Sequence, residues 1–271
     1  MNKNLTFFYL FDNIFSSLKP MKRGEKMNTE TEYTYETYTD IQLLNEKGLI
    51  KPHAYQTMFG AIADKHLSKI GLNVDTTMKY NLAWALISLS VEIEKHINEP
   101  TKLFAKTWHS EKKGPFYRRE YKFMNEKGET IFKGSSYSIL LDIENRSIYR
   151  KKETPFSIGE PYPEFMLDNL SASFKEKHVY DKVSERQALN SYIDCLGHVN
   201  NCRYGEFAYD ALSETEVENL QNLKRMDIYF LSELRKNDHF TVLKAYDGDK
   251  ILVRGHNNDK NDISFDVVMT F

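Results

Sequence analysis

One succession of elements occurs twice along this chain, and that repetition constrains the fold more than any single motif. From Pro52, the residues Tyr55, Met58, Phe59, Ile62, Leu67 and Ile70, with His66 beside them, recur at steps of mostly three and four. That spacing predicts a helix with one apolar face, closed by Gly71. Ahead of it, Tyr33, Tyr35 and Thr37 alternate with polar residues from Glu32, as in a strand. Behind it come strand-like runs at LAWALISLSVEI, KLFAKTWHS, FYRREYKFMN and GETIFKGSSYSILLDI, with a sharp turn at NEKGE. The succession then returns. KHVYDKVSERQAL reads as a strand, and a second helix presents Tyr204, Phe207, Ala208, Ala211 and Leu212 on one face. RMDIYFLSEL, HFTVLKAY, KILVRGH and ISFDVVMTF follow as strands, turning at Asn237-Asp238 and Asp247-Gly248.

Between the two copies, RKKETPFSIGEPYPEFMLDNLSAS carries three prolines and no clean period, so residues 151–174 read as a linker. The repeat distance is far beyond solenoid periods. A long helix that an antiparallel sheet can wrap is the hotdog arrangement. The expected fold class is therefore α+β: two tandem hotdog domains, at 29–150 and 175–271, each a long helix wrapped by an antiparallel sheet. The apolar patch from Leu5 to Phe11 is too short to span a bilayer and lacks the features of a secretory signal. Residues 1–28 are expected to be a flexible N-terminal extension, or upstream sequence read through from an early start codon.

Composition narrows the function classes. With 41% hydrophobic and 28% charged residues the chain suits a soluble globular protein. A net charge of -2 supplies no field to draw it to nucleic acid or a membrane surface. Two cysteines, Cys195 and Cys202, exclude a disulfide framework and fit a reducing cytoplasm. The 17 tyrosines and 17 phenylalanines suit strands and an apolar ligand tunnel alike.

The stretch SYIDCLGHVNNCRYGEFAYDAL, from Ser191 to Leu212, holds the candidate site residues. Gly197 lets the backbone turn sharply, and Asn200 is a good residue with which to begin a helix. Backbone N–H groups at such a helix start, near Gly197 and His198, make an oxyanion site. His198 is placed to hold a carbonyl or move a proton, and Asp194 to orient an imidazole or brace the turn. On these residues alone, three readings stand: a capped turn, a catalytic centre, and a metal site at Cys195, His198 and Cys202. Structural zinc calls for four ligands, and no second ligand cluster is evident, so no metal is expected.

DCLGHVNNCRY resembles the D-x-N-x-H-V-N-N-x-x-Y signature of the acyl-ACP thioesterases, double-hotdog hydrolases of fatty acyl-[acyl carrier protein]. The likeness extends in order along the chain. AWALISLSVEI, led by Trp84, is similar to the family's Trp-led strand; TWHSEKKGPFYRREY to its glycine turn and paired arginines, here Gly114, Arg118 and Arg119. GETIFKGSSYSILLDIENR is similar to a strand pair ending in an Asp and a basic residue, here Asp142 and Arg146, and IYFLSELRKNDHF to the strand bearing the site glutamate. The resemblance implies catalytic roles for Asp194, His198 and Glu233: Glu233 as general base, His198 on the thioester, Asp194 orienting it. The family's asparagine falls on Leu196, which cannot hydrogen-bond through its side chain. Trp84 would border the acyl site, while Arg118 and Arg119, with Lys112 and Lys113, could receive an acidic carrier protein. The implied function is release of free fatty acid from acyl carrier protein in fatty acid biosynthesis, in the cytoplasm and without a cofactor. Two alternatives stand beside it: a non-catalytic acyl-binding hotdog protein, motivated by Leu196, and an acyl-CoA thioesterase. Two such chains could still pair as a homodimer.

Overall fold

Pro52 opens the first helix because its ring presets the helical backbone and its missing N–H has no partner to lose at that position. In the computed structural model, which describes residues 34–145 and 147–271, this helix is α1, Pro52–Lys69. Tyr55, Met58, Phe59, Ile62 and His66 are buried as the spacing predicts, while Leu67 and Ile70 are half-buried. The N-terminal extension at 1–28, Tyr33 and Arg146 lie outside the described residues.

The other elements follow in chain order: β1 (Thr34–Thr39) before α1, then α2 (Val74–Met78), β2 (Leu82–Ile93), β3 (Thr101–Lys113), β4 (Phe116–Met124), β5 (Thr130–Asp142) and the short β6 (Ser147–Ile148). Residues 149–180 contain no helix or strand. The second half comprises β7 (Asp181–Gln187), α3 (Cys202–Tyr209), α4 (Glu214–Glu218), β8 (Arg225–Phe230), β9 (His239–Asp247), β10 (Lys250–Asn257) and β11 (Asp262–Thr270).

The strands form one sheet in the order β1-β3-β4-β5-β2-β8-β11-β10-β9-β7, with β6 on β5. From either edge to the middle, the same order repeats: first, third, fourth, fifth, second strand of each half. The halves join where β2 and β8 pair antiparallel, with Ser90 opposite Asp227. There Ser90 Oγ donates to Asp227 Oδ1 at 2.5 Å, and Arg225 bridges Asp227 and Glu92. So the expected pair of separate sheets is one continuous sheet.

The second helix is also shorter than expected. It stops at Tyr209, and Ser213 begins α4 through a capping box with Glu216, which satisfies two backbone donors and nucleates a new turn. Ala211 still enters the core, from the turn between the helices. "A long helix" therefore holds for α1 and not for α3, which has 8 residues.

A single buried cluster joins the halves, with Phe59, Phe123 and Phe132 from the first and Phe207, Phe240 and Phe265 from the second. Phe59 stacks on Tyr121 with ring centroids 4.4 Å apart. Gly134 permits this approach, since a Cβ there would sit 2.3 Å from Phe59 Cε2. On β4, the two-residue period of a strand packs Tyr121 and Phe123 into the core with α1, while Arg118 pairs with Glu120.

Candidate active site

The segment carrying His198 is a tight hairpin. Asp194 N donates to His198 O at 2.9 Å, Asn200 N to Tyr192 O at 2.8 Å, and Gly197 turns it with φ +85. Asp194 Oδ1 accepts the N–H groups of Leu196 at 2.9 Å and His198 at 3.4 Å. Val199 N then donates to Leu234 O at 2.8 Å, and Leu234 N donates to the Tyr204 hydroxyl at 3.2 Å. These bonds pin the hairpin to the segment after β8. They bring His198 Nε2 to 2.9 Å from Glu233 Oε2, a residue far along the chain.

The pair is open to solvent, with the His198 side chain 34% and Glu233 43% exposed. Glu233 uses both oxygens: Oε1 accepts from Arg235 Nε at 2.7 Å. In a neutral imidazole whose Nε2 donates to the carboxylate, Nδ1 is left as the acceptor. A base oriented by a carboxylate in this way can take a proton from water or a hydroxyl.

A cavity of about 820 Å³ opens against the hairpin, within the size range of small-ligand sites. It runs along α1, from His53 and Gln56 past Gly60 to Asp64 and Leu67, and against Leu86, Leu89, Arg119 and Tyr121 of the sheet. Asp194 and Asn200 close its end at the hairpin; His198 and Glu233 do not line it. Trp84 lines it and meets Tyr117 edge-on at 4.9 Å. Arg119 lines it too, with Nη1 3.4 Å from Thr107 Oγ1, and burial holds its guanidinium below the usual range. Burial likewise lowers His53 and raises Tyr121.

Two sequence models, the acyl-ACP thioesterase N-terminal domain and the acyl-ACP thioesterase C-terminal domain, match residues 29–154 and 181–269. The chain belongs to the acyl-ACP thioesterase family. Its fold is similar to that of an acyl-ACP thioesterase from Bacteroides thetaiotaomicron, at 19% identity and a TM-score of 0.78, over 88% of this chain and 96% of that one. It is also similar to the 12:0-ACP thioesterase from Umbellularia californica, at 12% identity and a TM-score of 0.69, over 88% of this chain and 96% of that one. No curated protein sequence matches the chain. No helix among the described residues is long and apolar enough to cross a membrane.

In this member of the acyl-ACP thioesterase family, the expected residues take different places. His198 and Glu233 are joined directly. Asp194 braces the hairpin through backbone N–H groups and makes no bond to the imidazole. The N–H groups of Gly197 and His198, expected to face an oxyanion, are already donated to Asp194 O and Asp194 Oδ1. Asn200 Oδ1 caps α3 by accepting from Cys202 N at 2.9 Å. Leu196 points outward, 46% exposed.

Arg118 borders the cavity but is committed to the linker by its hydrogen bonds. It is 7% exposed, its Nε donating to the fully buried Glu120 at 2.6 Å and its Nη2 to Leu167 O at 2.5 Å. Glu120 also accepts from Met166 N at 2.9 Å, so the two residues strap the linker to the outer face of the sheet. Among the described residues, ligand-type side chains gather only at Glu176, His178 and Asp247; Cys195, His198 and Cys202 form no such group. Sequence reasoning missed Arg235, although its i+2 spacing from Glu233 puts both on one side of an extended segment. It also missed Gln56, a polar residue on the buried face of α1.

Proposed function

We propose that this protein hydrolyses the thioester joining a fatty acyl chain to acyl carrier protein, releasing free fatty acid for lipid synthesis in the cytoplasm. On this reading, residues 29–150 and 175–271 are two hotdog domains, and the first houses the acyl tail in the cavity beside α1. The observation that carries it is the His198–Glu233 pair, on the hairpin whose Asp194 and Asn200 line one end of that cavity.

Glu233, with both oxygens engaged, holds the imidazole rather than the water, so the base is His198 Nδ1. His198 takes a proton from water as the water oxygen bonds to the acyl carbon, giving a tetrahedral oxyanion. The C–S bond then breaks, and the imidazolium returns the proton to the departing thiolate. The products are a carboxylic acid and the carrier's free thiol. No metal or organic cofactor takes part in these steps.

A second reading, an acyl-binding protein without turnover, is favoured by Leu196 alone. Free thiol release from a panel of acyl-ACPs and the matching acyl-CoAs tests both. Turnover of acyl-ACPs above acyl-CoAs supports the proposal. Faster turnover of the CoA esters replaces the carrier, and binding without thiol release favours the second reading.

A further inference from the structure

Among the described residues, the cavity is lined by three with buried polar atoms that the protein leaves unmatched, Gln56, His53 and Trp84, and of these Gln56 is unmatched at both ends of its amide. Gln56 is 3% exposed, and neither Nε2 nor Oε1 of its carboxamide has a partner. Nearly all buried side-chain amides are paired, so an unmatched one calls for a cause. Its position supplies one. Gln56 lines the same cavity as Asp194 and Asn200, and a Cβ on Gly205 of α3 would lie 3.1 Å from Gln56 Oε1. The amide therefore sits against the first turn of α3, at the end of the cavity that the His198 hairpin forms. His53 Nδ1, one turn earlier on α1, is also buried there and unpaired.

The hairpin itself has few donors to offer an acyl carbonyl. The N–H groups of Gly197 and His198 are spent on Asp194, and Leu196 has no polar side-chain atom. A thioester carbonyl that becomes an oxyanion needs a fixed donor close by. A primary amide offers two N–H groups, and burial keeps water from competing for them.

We infer that Gln56, from the first half of the chain, donates its amide N–H to the thioester carbonyl attacked at His198 in the second half. This rests on the hydrolase reading above. The site is then composite: the base comes from the hairpin before α3, the carbonyl donor from α1.

The test is Gln56→Met, an unbranched residue of similar length, assayed on acyl-ACP for kcat and KM and melted alongside wild type. The inference expects kcat to fall roughly 10- to 100-fold with KM within about twofold. It also expects Tm to hold or rise by roughly 2–4 °C, since an unpaired buried amide has been removed. A structural role would lower Tm and leave kcat of the folded fraction intact. Should methionine pack poorly, Gln56→Leu serves the same comparison. Unchanged kcat or a change in KM alone overturns the inference while leaving the hydrolase reading in place. A wild-type protein that releases no thiol from any acyl-ACP overturns both.

Discussion

Glu233→Gln separates what the His198–Glu233 contact does for the fold from what it does for chemistry. The two side chains are 34% and 43% exposed, and exposed ion pairs contribute only about 0.2–1 kcal/mol to stability. For a domain of this size that corresponds to a Tm change of roughly 4 °C or less. The catalytic cost is of another order. The glutamine carboxamide is nearly the size of the carboxylate, but it can turn an N–H toward His198 Nε2. Nε2 must then accept, the ring proton moves to Nδ1, and the base is lost. It also withdraws the negative charge that stabilises the imidazolium formed during attack. Loss of such a carboxylate lowers turnover by roughly 10²- to 10⁴-fold. The assay is thiol release from acyl-ACP under saturating substrate, with a thermal melt on the same preparation. A variant that keeps more than a third of wild-type kcat would refute the assignment of Nδ1 as base. A fall in activity matched by a large fall in Tm would make the contact structural instead.

Three further outcomes follow from the fold. Arg118→Met leaves Glu120 buried without its cation and should cost about 3–5 kcal/mol in urea unfolding; unchanged stability would remove Arg118 from its place in the linker strap. Gly134→Ala puts a methyl 2.3 Å from Phe59 Cε2 and from Ser90 O and should cost at least about 1–3 kcal/mol. Shortening Phe59 to leucine in the same chain should recover part of that loss, and strictly additive costs would contradict the contact. His66 is 5% exposed, and burial, then Arg119 and Lys69, lower its pKa from 6.5 to about 3. Between those values the unfolded chain binds a proton that the folded one does not, so stability falls as pH drops from 6.5 toward 3, by roughly 5 kcal/mol in full. His66→Gln should flatten that acid limb, and an unaltered limb would place its cause elsewhere.

Local pattern makes α1 legible, because Tyr55, Met58, Phe59 and Ile62 repeat at the helical period and all four are buried. The strands are legible for the same reason, at a period of two. Their order is not. The pairing of Ser90 with Asp227 spans 137 positions, and nothing in either strand's own alternation specifies the other. The end of α3 is overrun because Ala211 and Leu212 fit the helical face, while Ser213, followed three residues later by Glu216, carries a competing signal to start a new helix. At the site, His198 and Glu233 can be read from family likeness but not joined, since their contact depends on the Val199–Leu234 bridge. Arg118 misleads for a similar reason. Two adjacent arginines on a strand look like one basic patch, yet both border the cavity, and Arg118 is tied up by Glu120 and the linker.

The most direct measurement compares thiol release from acyl-ACP by the wild-type protein with release by His198→Ala under the same conditions. Wild type should turn over measurably, and the variant should fall by roughly 100-fold or more with little change in Tm. Equal rates in the two proteins would place the chemistry away from the hairpin and contradict His198 as the base.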